Sequence, residues 1–291
     1  MHLFTKFLYF EEWCAILITT FDGKVGYFMS TEMEQELRQL LRQARTIFTD
    51  ELALADVTVK GRANFVTRCD TGVQHFLQKE LRKRWPEIQF LGEEEDCTLS
   101  DPTGKVFVLD PVDGTANLMH HFGHSAISLA LVENSQPVLG LIYDPFRDEM
   151  FTARRGGGAS CNDRPIHAST APGLSRSVIA VGTSPYDRQF TDANFAAFRA
   201  TFDRCEDIRR TGSAALDLAY VAAGRLEGYF ERNLKPWDFA AGILLVAEAG
   251  GRVSGFDGSA LYPLANADVV AAAPAVFEEL LEVCGSPSSL L

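Results

Sequence analysis

Residues 108–117 read Val108-Leu109-Asp110-Pro111-Val112-Asp113-Gly114-Thr115-Ala116-Asn117, with Val106 and Phe107 just before them. The apolar run 106–109 predicts a buried strand. That strand is expected to end abruptly in two carboxylates three positions apart, followed by Gly and Thr in a tight turn. Ligands gather at the C-terminal ends of buried strands, so an acidic turn there is a natural seat for a divalent cation. Carboxylates inside a fold are costly unless something positive neutralises them. The requirement points to a metal ion.

Working outward, Leu37, Leu40, Leu41, Ala44, Ile47 and Phe48 recur at helical spacing and predict an amphipathic helix over roughly 32–49. Val73, Phe76, Leu77 and Leu81 predict a second helix, capped by Asp70 or Thr71. After the acidic turn, the runs 125–133, 137–143 and 149–154 predict an antiparallel meander with short turns between them. Gly156-Gly157-Gly158 and Asn162-Asp163 mark further turns, and Val178 to Val181 another strand. An Ala/Leu-rich helix opens at Gly212-Ser213-Ala214-Ala215 and runs to about Ala223. Leu226 to Glu231 reads as a strand, Trp237-Asp238 to Glu248 as a helix stopped by Gly250-Gly251. Val269 to Ala272 is a strand candidate, and 274–284 a closing helix. Strands and helices mix without strict alternation, which predicts a layered α+β fold.

The chain has 291 residues, 46% of them hydrophobic and 23% charged, enough for one large domain or two lobes sharing a core. Its net charge of -12, from 27 basic and 39 acidic residues, argues against binding nucleic acid through a broad basic surface. An anionic substrate therefore needs bound cations to reverse the potential locally. Cys14, Cys69, Cys97, Cys161, Cys205 and Cys284 include no short-spaced pair, which fits neither a zinc finger nor a disulfide framework and points to a reducing, cytoplasmic compartment. Trp13 to Phe21 is apolar but too short to span a membrane, and no basic leader or cleavage site accompanies it. Residues 1–28 are expected to be an N-terminal extension, with Met29 an alternative start.

The acidic set comprises Glu93, Glu94, Asp110, Asp113 and Asp238, with Asp70 as an outlying member. Such hard oxygen donors suit Mg²⁺, Mn²⁺ or Ca²⁺ rather than zinc. Each alone has an ordinary reading: a solvated acidic turn at 93–96, a simple turn at Asp113-Gly114, a favourable helix N-terminus at Asp238. Only their combination carries weight. His120, His121 and His124 have no matched ligand set and read as surface or packing residues. Gly156 to Gly158 lacks the Lys-Ser/Thr of a nucleotide-binding P-loop.

Taken in order, Gly92-Glu93-Glu94, Asp110-Pro111-Val112-Asp113-Gly114-Thr115 and Trp237-Asp238-Phe239-Ala240-Ala241-Gly242 resemble the three signature segments of the inositol monophosphatase family. The resemblance covers roughly 33–285 and takes in Val66-Thr67-Arg68-Cys69-Asp70 and Arg210-Thr211-Gly212-Ser213-Ala214-Ala215. It implies a layered α/β/α/β/α sandwich with a catalytic domain at 29–291, in two lobes of roughly 29–170 and 171–291. It also implies a homodimer, two or three Mg²⁺ ions and sensitivity to lithium. Under it, Glu93, Asp110 and the Val112 carbonyl hold one ion, Asp110, Asp113 and Asp238 a second, and Glu93 with waters a third.

The implied reaction is hydrolysis of a phosphate monoester, inositol 1-phosphate first among them, by in-line attack of a metal-activated water. Glu93, Thr115 and Asp70 take the catalytic roles, Thr115 orienting the water and Asp70 linked to it. Gly114 and Thr115 N–H groups receive the phosphate, helped by the dipole of a helix opening there. Asp113, Gly212, Ser213, Ala214 and Glu231 face the substrate. Lys235 departs from the animal members. Same-class alternatives are histidinol phosphate, a 3'(2'),5'-bisphosphate nucleotide or fructose 1,6-bisphosphate. The different-class alternative is a catalytically silent regulatory or interaction protein. No membrane or nucleic-acid partner is expected beside the small phosphorylated polyol or sugar.

Overall fold

The computed structural model describes residues 20–21, 24–25, 31–50, 57–61, 64–94 and 99–285. It divides into two units, Met1–Leu37 and Arg38–Leu291. In the first, β1 (Thr20–Phe21) pairs antiparallel with β2 (Lys24–Val25), and α1 (Thr31–Phe48) begins. Most of the expected 1–28 extension lies outside the described residues.

In the second unit the apolar residues of α1 are buried at Leu40, Leu41, Ala44 and Phe48, as its periodicity predicts. A hairpin that the sequence did not announce, β3 (Val57–Gly61) and β4 (Asn64–Thr67), leads into α2 (Arg68–Arg84). This helix starts earlier than expected. Its cap is Thr67, not Asp70 or Thr71: the Thr67 hydroxyl accepts the Cys69 N–H at 3.1 Å, and Asp70 reaches back to accept the Thr67 N–H at 2.8 Å. That reciprocal arrangement is a capping box, with Asp70 at its third position.

Seven strands form one sheet: β5 (Gln89–Gly92), β6 (Val106–Asp113), β7 (Ala126–Glu133), β8 (Gln136–Asp144), β9 (Glu149–Arg154), β10 (Gly158–Cys161) and β11 (Arg164–Pro165). β7 to β9 form the expected antiparallel meander, β6 pairs antiparallel with β7, and β5 joins β6 in parallel. Between β10 and β11, Asn162 and Asp163 both take positive φ, as a tight hairpin turn of that hand demands. After α3 (Thr115–Met119) and the meander come β12 (Val178–Val181), α4 (Thr191–Phe202), β13 (Asp207–Arg209), α5 (Ala214–Ala222), β14 (Gly228–Leu234), α6 (Pro236–Glu248), β15 (Arg252–Ser254), β16 (Ala267–Ala272) and α7 (Phe277–Gly285). The second sheet runs β13-β12-β14-β16-β15.

Alternation along the strands sorts these elements into layers. Val106 and Val108 of β6 join α5 and α6 in one apolar cluster, while Phe107 packs near Trp85 at the end of α2, on the other face. Likewise Tyr229, Val269 and Ala271 face α5 and α6, whereas Phe230, Val270 and Ala272 face α4 and α7. The α+β sandwich is thus a helical layer, the seven-stranded sheet, the α5–α6 pair, the five-stranded sheet and an outer helical layer. Among the described residues no helix is long and apolar enough to cross a membrane, and Cys69, Cys161, Cys205 and Cys284 are free thiols.

Candidate metal centre

Pro111 decides the local geometry. β6 does not stop at Asp110 but continues to Asp113. In an unbroken strand, residues 110 and 113 would point to opposite faces. Proline has no N–H to give the ladder, and the pairing of β6 with β7 shifts register between Asp110 and Asp113. A bulge of this kind re-aims side chains. Here one carboxylate oxygen from each of Asp110, Asp113 and Asp238 comes within 4.8 Å of those of the other two. Asp238 arrives from the first turn of α6. Among the described residues no other set of His, Cys, Asp or Glu gathers ligand atoms in this way.

Each carboxylate is held by donors from its surroundings. Asp110 Oδ1 accepts the Val112 N–H at 2.9 Å and Asp238 Oδ2 the Lys235 N–H at 2.7 Å. Asp113 Oδ2 accepts the Ala215 N–H at 2.8 Å and the Ser213 hydroxyl. Burial, then the charge of Glu93, then those of Asp113 and Asp238, hold the Asp110 carboxyl well above the usual range. Burial followed by Asp113 and Glu93 does the same to Asp238. Asp113 is pushed up to about 6 by burial, against the pull of Ser213 and Ala215. Two buried acids and the half-buried Asp238, crowded together, oppose ionisation at the site, and a bound cation would relieve that opposition. All-oxygen donors at this density fit a hard divalent ion such as Mg²⁺.

Glu93 lies outside the close trio but lines the same cavity of about 300 Å³, together with Val112, Gly114, Thr115 and Glu231. The Gly92-Glu93-Glu94 turn is fixed by a residue that carried no motif. Gln74 of α2 is 2% exposed, and its Oε1 accepts the Glu94 N–H at 3.0 Å. A signal for it existed: Asp70, Gln74 and Gln78 recur every fourth residue within the buried part of α2.

Gly114 takes φ +90, and a Cβ there would meet the Gly212 and His124 carbonyls at 3.1 Å, so the turn requires glycine. The Thr115 hydroxyl reaches Asp70 Oδ1 at 2.9 Å and the Val112 carbonyl at 3.1 Å. Asp70 itself is fully buried and does not line the cavity; burial raises its pKa, while Thr67 and Thr115 oppose the rise. The helix after Gly114 has only 5 residues, so its dipole offers an anion little. The N–H groups that open any helix are what such a turn can still offer an anion.

Gly212, Ser213 and Ala214 stand behind Asp113 rather than on the cavity wall. The Glu231 carboxylate lines the cavity with both oxygens engaged: Oε2 by the Tyr229 hydroxyl at 2.7 Å and Oε1 by the Ser184 N–H at 2.8 Å. Burial raises its pKa against those two donors. His124 packs edge-on against Tyr220, and His120 and His121 take no part in the acidic cluster. Lys60, which reads from the sequence as either a neighbour of the metal loop or a solvated lysine, has its side chain outside the described residues.

A layered α+β sandwich with three aspartates converging at a sheet bulge defines a class of protein with a candidate site for hard divalent cations. The chain belongs to the inositol monophosphatase family, whose model matches residues 25–285. It is 42% identical over 210 residues to the "Nus factor SuhB" of Xylella fastidiosa, covering 72% of this chain and 76% of that one. It is 38% identical over 237 residues to an inositol-1-monophosphatase of Rhizobium meliloti, covering 81% and 89%. Among solved structures, the extragenic suppressor protein suhB of Bartonella henselae superposes with a TM-score of 0.81 at 34% identity, covering 87% of this chain and 98% of that one. An IMPase/NADP phosphatase complexed with Mg²⁺ and phosphate superposes with a TM-score of 0.77 at 26% identity, covering 87% and 94%.

Proposed function

We propose that this chain is a magnesium-dependent phosphomonoesterase acting on inositol 1-phosphate. The convergence of Asp110, Asp113 and Asp238 within 4.8 Å carries this reading. The inositol-1-monophosphatase relative and the related structure holding Mg²⁺ and phosphate support it. Asp110, Asp113 and Asp238 would hold one ion, Glu93, Asp110 and the Val112 carbonyl another, and Glu93 with solvent a weaker third where lithium competes. Bound magnesium supplies charge neutralisation for the phosphate and a more acidic water.

The protein's own groups do the positioning. N–H groups of Gly114 and Thr115 take phosphate oxygens. The Thr115 hydroxyl, turned toward Asp70 at 2.9 Å, presents its lone pairs to the attacking water. Asp70 acts only through Thr115. Asp113 and Glu231 bound the space for the alcohol; Gly212, Ser213 and Ala214 contribute by holding Asp113 and the first turn of α5. An acidic wall at Glu231 favours a polyol hydroxyl over a second phosphate, which disfavours bisphosphates. We place the working protein in the cytoplasm as a homodimer.

A second reading, a regulatory interaction protein, is favoured by the relative named Nus factor SuhB. One experiment separates them. Phosphate release is measured from inositol 1-phosphate, histidinol phosphate, a bisphosphate nucleotide and fructose 1,6-bisphosphate, with and without Mg²⁺. Magnesium-dependent release, greatest on inositol 1-phosphate, is the expected result. Absence of release from all of them would favour the regulatory reading.

A further inference from the structure

The loop 182–187 follows β12 and brings Tyr186 to the cavity that holds Glu93, Asp110, Asp113 and Asp238. No motif in the sequence marks this residue. The loop is nonetheless pinned. Ser184 takes φ +46, donates its N–H to Glu231 Oε1 at 2.8 Å and donates its hydroxyl to the Arg232 carbonyl at 2.7 Å. Its carbonyl accepts the Asp187 N–H at 2.9 Å. Beneath it, a Cβ on Gly182 would lie 1.8 Å from Glu231 Oε2, so the carboxylate seats only on glycine. A serine in left-handed backbone persists only where its surroundings over-determine it, and such strain clusters at ligand clamps.

The fold therefore fixes Tyr186 in place although the residue is 62% exposed. Burial first, then the charges of Glu93, Asp238, Asp110 and Asp113, push its phenol pKa up. An aromatic ring at the rim of an acidic pocket offers what carboxylates cannot, an apolar face. A phosphate seated at the carboxylates and the Gly114-Thr115 turn sends its alcohol toward the rest of this cavity.

We propose that Tyr186 is a specificity residue whose ring covers the alcohol side of the bound ester and selects cyclic polyol phosphates, whose C–H faces pack on an aromatic ring, over acyclic esters. The inference rests on the phosphatase reading above. Its test compares the full-length protein with Tyr186→Ala and Tyr186→Phe on inositol 1-phosphate, glycerol 2-phosphate and a nucleoside 2'-monophosphate. For Tyr186→Ala, kcat/KM on inositol 1-phosphate is expected to fall about tenfold, through KM, and on glycerol 2-phosphate by no more than about threefold. Tyr186→Phe keeps the ring and stays within about threefold of the unaltered protein on both.

Equal losses on both esters, no loss on either, or a Phe variant as impaired as Ala would overturn the proposal. A larger loss on the nucleotide than on inositol 1-phosphate would overturn the assignment to polyols. Failure of the unaltered protein to turn over any ester would instead overturn the phosphatase reading, and this inference with it.

Discussion

Asp110 is the residue most exposed to contradiction, because three neighbouring carboxylates oppose its charge. Glu93, Asp113 and Asp238 all oppose its ionisation in a buried setting. Asp110→Asn keeps the shape and removes the charge. Turnover on inositol 1-phosphate is expected to fall below detection while unfolding stays cooperative. Without magnesium the variant is expected to melt higher than the unaltered protein, by roughly 2–4 °C, since like-charge repulsion is relieved. Circular dichroism melts in EDTA check the second point; a lower melting temperature would mean that Asp110 serves the fold rather than an ion. The acidic residues of this site stood out in the sequence because buried carboxylates need a reason. Gln74 and Tyr186 did not, because one looks like an ordinary helix residue and the other like a loop aromatic until the chain is folded.

At the scale of elements, the layers meet through small residues. A Cβ on Gly140 of β8 would lie 2.6 Å from the Ala241 carbonyl oxygen of α6. Gly140→Ala is expected to push that helix outward and cost about 1–3 kcal/mol, read from urea unfolding. Because α6 carries Asp238, the same change is expected to weaken magnesium-dependent turnover more than the loss of stability alone accounts for. The meander and the helices at 31–48, 214–222 and 236–248 were legible because their apolar residues repeat with a clear period. The hairpin β3–β4, helix α4 and the short strands β13 and β15 were not. Helix α4 holds Phe195 and Phe202 exposed while Ala197 and Phe198 are buried, so its apolar residues ring the helix and blur the period. Thr67 does not stand out as the cap because Asp70, three residues on, is also a good capping residue, and the two cooperate. The bulge at Pro111 was visible as a proline in a strand, yet its consequence, two aspartates turned to one site, needed the register with β7.

For the whole molecule, the acid cluster couples folding to pH and to magnesium. Burial pushes the Asp113 carboxyl up to about 6 in the folded protein, from an ordinary 3.8. Below 3.8 both folded and unfolded chains carry the proton. Between 3.8 and 6 the unfolded chain loses it first, so this group takes stability away as pH rises through that window. Asp110 and Asp238 are shifted in the same direction. In the proposed site magnesium would bind the ionised trio, so its stabilising effect is expected to grow over the same range. The rise in melting temperature on adding Mg²⁺ is expected to be larger at pH about 7 than at pH about 4.5; an equal rise at both would place the ion elsewhere. The net charge of -12 makes the same point on a larger scale, since a phosphate ester reaches this protein only where cations invert its field. In the proposed site Asp238, carried by α6, completes the ion cage begun at Asp110 and Asp113. Calorimetric titration of Mg²⁺ into the full-length protein and into Asp238→Asn at neutral pH tests it. Saturable binding by the unaltered protein, weakened by about tenfold or more in the variant, is the predicted result. Equal affinity in the two proteins would contradict it.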